Sequence, residues 1–278
     1  VVAARGIFKS WTVLLAILAF SLSLVGTFIV RSGLLTSVHS FASDPARGAF
    51  ILGILLFAIG IPLALFAWRG PQLINDGDYQ PVSRETGLLV NNFLLTAATI
   101  VVLIGTFYPL GLEMVSGARI TVGPPYFDAT FNPIMGVLVL AMAFGPVMAW
   151  RRGTLPALRF VASGAIMATL VAVLAGLALF TGISLAGLAG IGMIAWLGGG
   201  ILADIFHRVK RAGTGRIGER RAVKMPVWGM WCAHLGMVVF LLGALGNGLF
   251  AAETVVRAKP GDVINLAGKE ITFAGVEA

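Results

Sequence analysis

Of 278 residues, 58% are hydrophobic and 12% charged, about half the roughly 25% charge of a soluble domain, so the chain cannot cover a water-facing surface. The mean hydropathy of +0.94 indicates an integral membrane protein, and the formal net charge of +8 has a ready explanation in basic cytoplasmic loops without a nucleic-acid partner. A single cysteine, Cys232, excludes an internal disulfide, a CxxC redox pair and a Cys-rich metal centre.

Crossing about 30 Å of hydrocarbon takes roughly 20 apolar residues. Runs of that kind lie near 11–30, 48–68, 88–108, 133–150, 160–180, 185–203 and 227–250. Asp44-Pro45 and Asn132-Pro133 each place a capping side chain before a proline, which predicts two of the helix starts. Trp11, Trp68, Tyr108, Trp150 and Trp228 fall at span ends, where amphipathic rings favour the membrane interface.

With seven crossings the loops alternate between two sides, and fourteen of the twenty Lys and Arg fall on the side of the N-terminus against six on the other. The positive-inside rule makes that first side cytoplasmic, so the C-terminus is expected outside. The basic run from Arg208 to Lys224 reads as a cytoplasmic loop that fixes topology. The few acidic residues are expected in loops. On the outer side, Gly123-Pro124-Pro125-Tyr126 reads as turn chemistry within a loop over 109–132.

After Phe250 the pattern changes to alternation. Thr254–Arg257, Val263–Leu266 and Glu270–Phe273 read as strands, separated by turns at Pro260-Gly261 and Gly268. The fold class is therefore an all-α polytopic membrane protein of about seven transmembrane helices, with residues 1–250 as the helical region. Residues 251–278 are the start of a periplasmic β domain that is expected to be incomplete, having too few strands for independent stability. Val1 is preceded by neither a start methionine nor a signal peptide, so the sequence is expected to be part of a longer protein.

The three histidines are the candidates for chemistry. His207 falls in the basic loop and reads as a solvated interfacial residue. His234 lies inside the seventh span, roughly 10 Å from its cytoplasmic end at 1.5 Å per residue. An ionisable group at that depth faces a protein interior or cavity, and neutral imidazole is the commonest metal or haem ligand. A hydrogen bond between helices would also explain it. Cys232 is two residues away, about 200° round the helix, so the two cannot share a metal. His39 lies at the outer interface within Ser37-Val38-His39-Ser40-Phe41, either a surface histidine or one beside an apolar platform suited to a flat cofactor. About 20 Å along the membrane normal separates it from His234, so the two cannot ligate one iron.

The stretch from Gly26 to Gly48, with Arg31-Ser32-Gly33 and Ser37-Val38-His39-Ser40-Phe41 within it, closely resembles the CcmF family of cytochrome c maturation proteins. So do Asn91-Asn92-Phe93-Leu94-Leu95, Thr106-Phe107-Tyr108-Pro109, Val122–Phe127 and the neighbourhood of Trp231–Gly236, in the family's order. The resemblance covers essentially the whole chain and matches the family's central and C-terminal part. It implies a heme lyase of the bacterial inner membrane that takes haem from a haem chaperone. The haem is presented on the periplasmic side to the Cys-x-x-Cys-His motif of an apocytochrome c, prepared by thiol-handling maturation subunits.

The resemblance also implies two haems. Substrate haem would rest transiently on a tryptophan-rich periplasmic segment between two periplasmic histidines, of which His39 matches the second. A resident haem b would sit in the membrane between two transmembrane histidines, of which His234 matches the C-terminal one. Arg31 and Arg47, flanking His39, become candidates for the haem propionates, with interfacial anchoring as the alternative. The tryptophan-rich segment and the two partner histidines are not in this sequence and are expected to precede Val1, so the isolated chain is expected to be inactive. Two other classes stay open. One is a transporter or channel, for which Gly187–Gly200 and the buried histidine argue; the other is a non-catalytic scaffold of a membrane complex.

Overall fold

The computed structural model describes residues 6–32, 45–73, 78–118, 120–213 and 223–275. Among them seven helices are long and apolar enough to cross a bilayer. They are α1 (Lys9–Ser32), α2 (Pro45–Arg69), α3 (Arg84–Ser116), α4 (Pro124–Met142), α5 (Leu155–Leu179), α6 (Leu185–Gly213) and α7 (Met225–Phe250). A hairpin follows, β1 (Val263–Leu266) and β2 (Lys269–Thr272). The chain divides into two compact units, one of residues 1–79 with 106–121, the other of 80–105 with 122–278.

In the first unit α1 and α2 pack as an antiparallel pair. Their adjoining ends approach so closely that a Cβ on Gly48 would lie 2.9 Å from the Ser32 Cα, so glycine is required there. At the opposite end the Ser10 hydroxyl donates to the Leu73 carbonyl at 3.3 Å. The outward faces keep large apolar side chains such as Phe50 and Phe57 exposed, as lipid-facing helices do.

The second unit is built round α6, which packs against α4, α5 and α7. Val139, Ala143, Leu197, Ile201 and Trp231 form its core. The α5–α6 contact is a small-residue seam: a Cβ on Gly199 would collide with the Ala168 side chain and lie 3.0 Å from the Gly164 carbonyl oxygen. Without a hydrophobic drive between helices in lipid, such backbone approach supplies much of their association.

Several boundaries differ from the sequence reading. The fourth span was expected over 133–150; α4 instead opens at Gly123, with Pro124 and Pro125 in its first positions, and ends at Met142. Pro-Pro after an extended glycine starts the helix just as Asn132-Pro133 was expected to. Asn132 instead bonds back to Asp128 Oδ1 at 2.9 Å inside the helix. The expected loop over 109–132 shrinks accordingly, because α3 continues through Pro109 to Ser116. α6 runs ten residues past Ala203, so His207 and Arg208 are helical rather than loop residues. Thr254–Arg257 is not a strand, whereas Val263–Leu266 pairs antiparallel with Lys269–Thr272. Ala267 and Gly268 turn that hairpin with φ of 52° and 77°, the signs of a type I′ turn.

Candidate functional site

The site forms in the second unit, where the start of α3, the end of α4 and the connector after it meet α7. Met225-Pro226 opens α7, and His234 is its tenth residue, about 13 Å along the axis at 1.5 Å per residue. Its Nδ1 lies 2.8 Å from the Met230 carbonyl oxygen one turn back. A carbonyl only accepts, so Nδ1 carries a proton; in the neutral ring the lone pair is then on Nε2. Nε2 faces the connector: a Cβ built on Gly145 would lie 3.7 Å from it.

Around the ring lies a cavity of about 480 Å³, lined by Arg84, Gly87, Asn91, Leu138, Phe144 and Met148 among others. The volume is in the range of small-molecule and cofactor sites, which are mostly apolar with a few convergent polar groups. Here the polar groups are His234, Arg84, Thr86 and Asn91. An imidazole and an arginine lining an otherwise mostly apolar cavity suit a flat, apolar, anionic ligand. Among the described residues no cluster of three or more His, Cys, Asp or Glu could hold a bare metal ion.

Backbone contacts fix the connector against α3. The Arg84 amide donates to the Ala149 carbonyl at 2.9 Å, and Gly153 N–H donates to Val82 O at 2.6 Å. The carboxylate of Glu85, 1% exposed, accepts the Arg151 amide at 2.8 Å. The Arg84 guanidinium lies over the Trp150 ring, 5.2 Å from its centroid, and reaches the Pro146 carbonyl at 3.4 Å.

A second network ties α6 to both α7 and the connector. Asp204, also 1% exposed, accepts from Arg208 Nε at 2.8 and 2.9 Å and from Trp231 Nε1 at 2.9 Å. Arg208 then donates from its terminal nitrogen to the Pro146 carbonyl at 2.6 Å. The acidic residues were expected in loops and Arg208 in a cytoplasmic loop; Asp204 and Glu85 are instead buried on helices, and Arg208 is the helical partner of Asp204. The missed signal was the i, i+4 spacing of Asp204 and Arg208 at the end of an apolar run, since an acid there has to be paired.

Of the other candidates, His207 stacks obliquely on Phe160, ring centroids 5.1 Å apart, rather than standing free in a loop. Cys232 is exposed. His39 lies outside the described residues. In the first unit Arg31 falls in the last turn of α1 and Arg47 in the first turn of α2, at the helix ends that meet at Ser32 and Gly48.

No protein-family model matches the chain. Individual relatives do. It is 42% identical over 273 residues to the cytochrome c-type biogenesis protein CcmF of Pseudomonas aeruginosa, covering 98% of this chain and 41% of that protein. To CycK of Rhizobium meliloti, also a cytochrome c-type biogenesis protein, the identity is 44% over 279 residues, with the same coverage. To Escherichia coli CcmF it is 39% over 274 residues. The chain thus spans about two fifths of the length of these relatives. A solved structure, the cytochrome c heme lyase CcmF, superposes with a TM-score of 0.59 over 93% of this chain and 38% of its own, at 24% identity, a likeness of fold. Seven membrane-length helices and close relatives over nearly the entire sequence agree: the chain belongs to the CcmF family of cytochrome c-type biogenesis proteins.

Proposed function

We propose that this chain is part of a cytochrome c heme lyase, in which His234 is one axial ligand of a haem b held within the membrane. The observation that carries the proposal is the setting of His234: Nδ1 is held by the Met230 carbonyl, Nε2 lies near Gly145, and His234 and Gly145 both line a cavity of about 480 Å³. A hydrogen bond to the far ring nitrogen fixes the tautomer, orients the ring and raises its basicity, as at metal-ligating histidines generally. Arg84 and Asn91 lie where they can meet the polar edge of the macrocycle, and the apolar walls exclude water. A haem bound there would supply a one-electron iron couple, with His234 holding the iron and the apolar walls tuning its potential.

We propose further that His39 is an axial ligand of substrate haem at the periplasmic face, with Arg31 and Arg47 as propionate partners. Support comes from membership of the CcmF family and from the meeting of the two helix ends that carry these arginines. The partners are then a haem chaperone, apocytochrome c and the thiol-handling subunits that prepare it. That the relatives are bacterial supports the inner membrane, and the excess of basic residues on one side supports a cytoplasmic N-terminus for this segment. The test is the reduced-minus-oxidised spectrum of the purified full-length protein. A bis-histidine b-type signal that disappears in His234→Ala is the expected result; an unchanged signal in that variant refutes the assignment.

A further inference from the structure

The position of His234 depends on two walls, and one buried carboxylate touches the supports of both. The first wall is α7 itself. Trp231, 2% exposed and one turn before His234, anchors that helix by donating Nε1–H to Asp204 on α6 at 2.9 Å. The second wall is the Gly145–Val147 turn, whose Gly145 faces Nε2. Arg208 holds that turn by the Pro146 carbonyl at 2.6 Å, and Asp204 holds Arg208 through both carboxylate oxygens. A buried charge pair is weak ground for stability, since its desolvation offsets its attraction, but it specifies geometry well because each partner is costly to leave alone. Asp204 lies within the described residues of a membrane helix at 1% exposure, where an acid is otherwise strongly disfavoured.

We propose that Asp204 is a positioning residue for the His234 site, setting through Trp231 and Arg208 the gap between Nε2 and the Gly145–Val147 turn. The proposal rests on the reading of His234 as a haem ligand. Outer partners of metal ligands typically cost roughly ten- to hundredfold in affinity when lost. Asp204→Asn keeps the shape but removes the charge that Arg208 needs. Trp231→Phe is the milder variant, keeping an aromatic ring while removing the N–H together with part of the buried indole.

The experiment compares Asp204→Asn, Asp204→Glu, Trp231→Phe and His234→Ala in the full-length protein, reading haem content, spin state and midpoint potential. Asp204→Asn and Trp231→Phe are expected to lower haem retention about tenfold. The haem that remains should shift in midpoint potential and gain high-spin character, and Asp204→Glu should recover part of the loss. Should Asp204→Asn fail to accumulate, Trp231→Phe decides. Wild-type spectrum and potential in Trp231→Phe, with the signal lost in His234→Ala, overturn the positioning role alone. Lower thermal stability with an unaltered spectrum and potential also overturns it, since that is the behaviour of a merely structural pair. An unchanged spectrum in His234→Ala overturns the ligand assignment and the positioning role together.

Discussion

Gly145 offers a graded perturbation of the cavity that leaves His234 itself intact. It precedes Pro146 in a tight helical turn, a conformation that a Cβ before proline disfavours, so any replacement carries some backbone strain. Alanine separates that strain from occupancy: its Cβ would stand 3.7 Å from Nε2, an ordinary van der Waals contact. Valine adds two methyls about 1.5 Å further out, which can bring one to within about 2–3 Å of Nε2, where a ligated metal would stand at about 2 Å. Overpacking of this kind costs about 1–3 kcal/mol, and at 1.4 kcal/mol per tenfold Gly145→Val should weaken haem retention about 5- to 150-fold. Gly145→Ala should stay near the wild type. The assay is haem per polypeptide after purification of the full-length protein, with thermal unfolding as the control for folding. Full haem content and an unshifted spectrum in Gly145→Val would refute the placement of the ligand against this turn.

Three other outcomes follow from the packing and the charge distribution. Gly199→Leu meets the Ala168 side chain and the Gly164 backbone across the α5–α6 seam, whereas nothing lies within 4 Å of a Cβ on Gly243. The first should destabilise by about 1–3 kcal/mol, lowering the midpoint of thermal unfolding in detergent by several degrees, and Gly243→Leu should not. Glu85→Ala removes the acceptor of the Arg151 amide, at about 1–3 kcal/mol for a buried group left unsatisfied. The connector over 148–154 should then be cut faster by protease, and an unchanged rate would count against its stapling to α3. In a Cys232→Ser background, single cysteines replacing Lys210 and Glu253 should react with a membrane-impermeant maleimide from opposite sides, Glu253→Cys from the periplasm. Labelling of both from one side would contradict the orientation drawn from the basic residues.

The helices were legible because crossing a bilayer imposes a length and an apolar composition that few other structures need. Their ends were less so. Proline marks a helix start at both Pro124 and Asn132-Pro133, and the sequence reading chose the second; only tertiary context shows that Pro133 lies inside α4. The type I′ turn at Ala267-Gly268 was visible as a glycine between alternating segments, while Thr254–Arg257 alternates without gaining a ladder partner among the described residues. His234 stood out as an ionisable residue deep in a span, and the cavity and the Met230 carbonyl give that depth a direction. In the network on Asp204 only the Arg208 pair was legible, from its i, i+4 spacing; the other partners come from the connector and α7 and no local pattern joins them. Arg31 and Arg47 flank His39 in the sequence, and the structure adds that the helix ends bearing them meet at Gly48.

Ligation by His234 is separated from a packing role most directly by chemical rescue. In the full-length protein His234→Gly should lose the b-type signal, and added imidazole should restore a low-spin spectrum by occupying the vacated position. Loss of the signal without restoration at any imidazole concentration, or persistence of the wild-type spectrum in His234→Gly, would contradict the account.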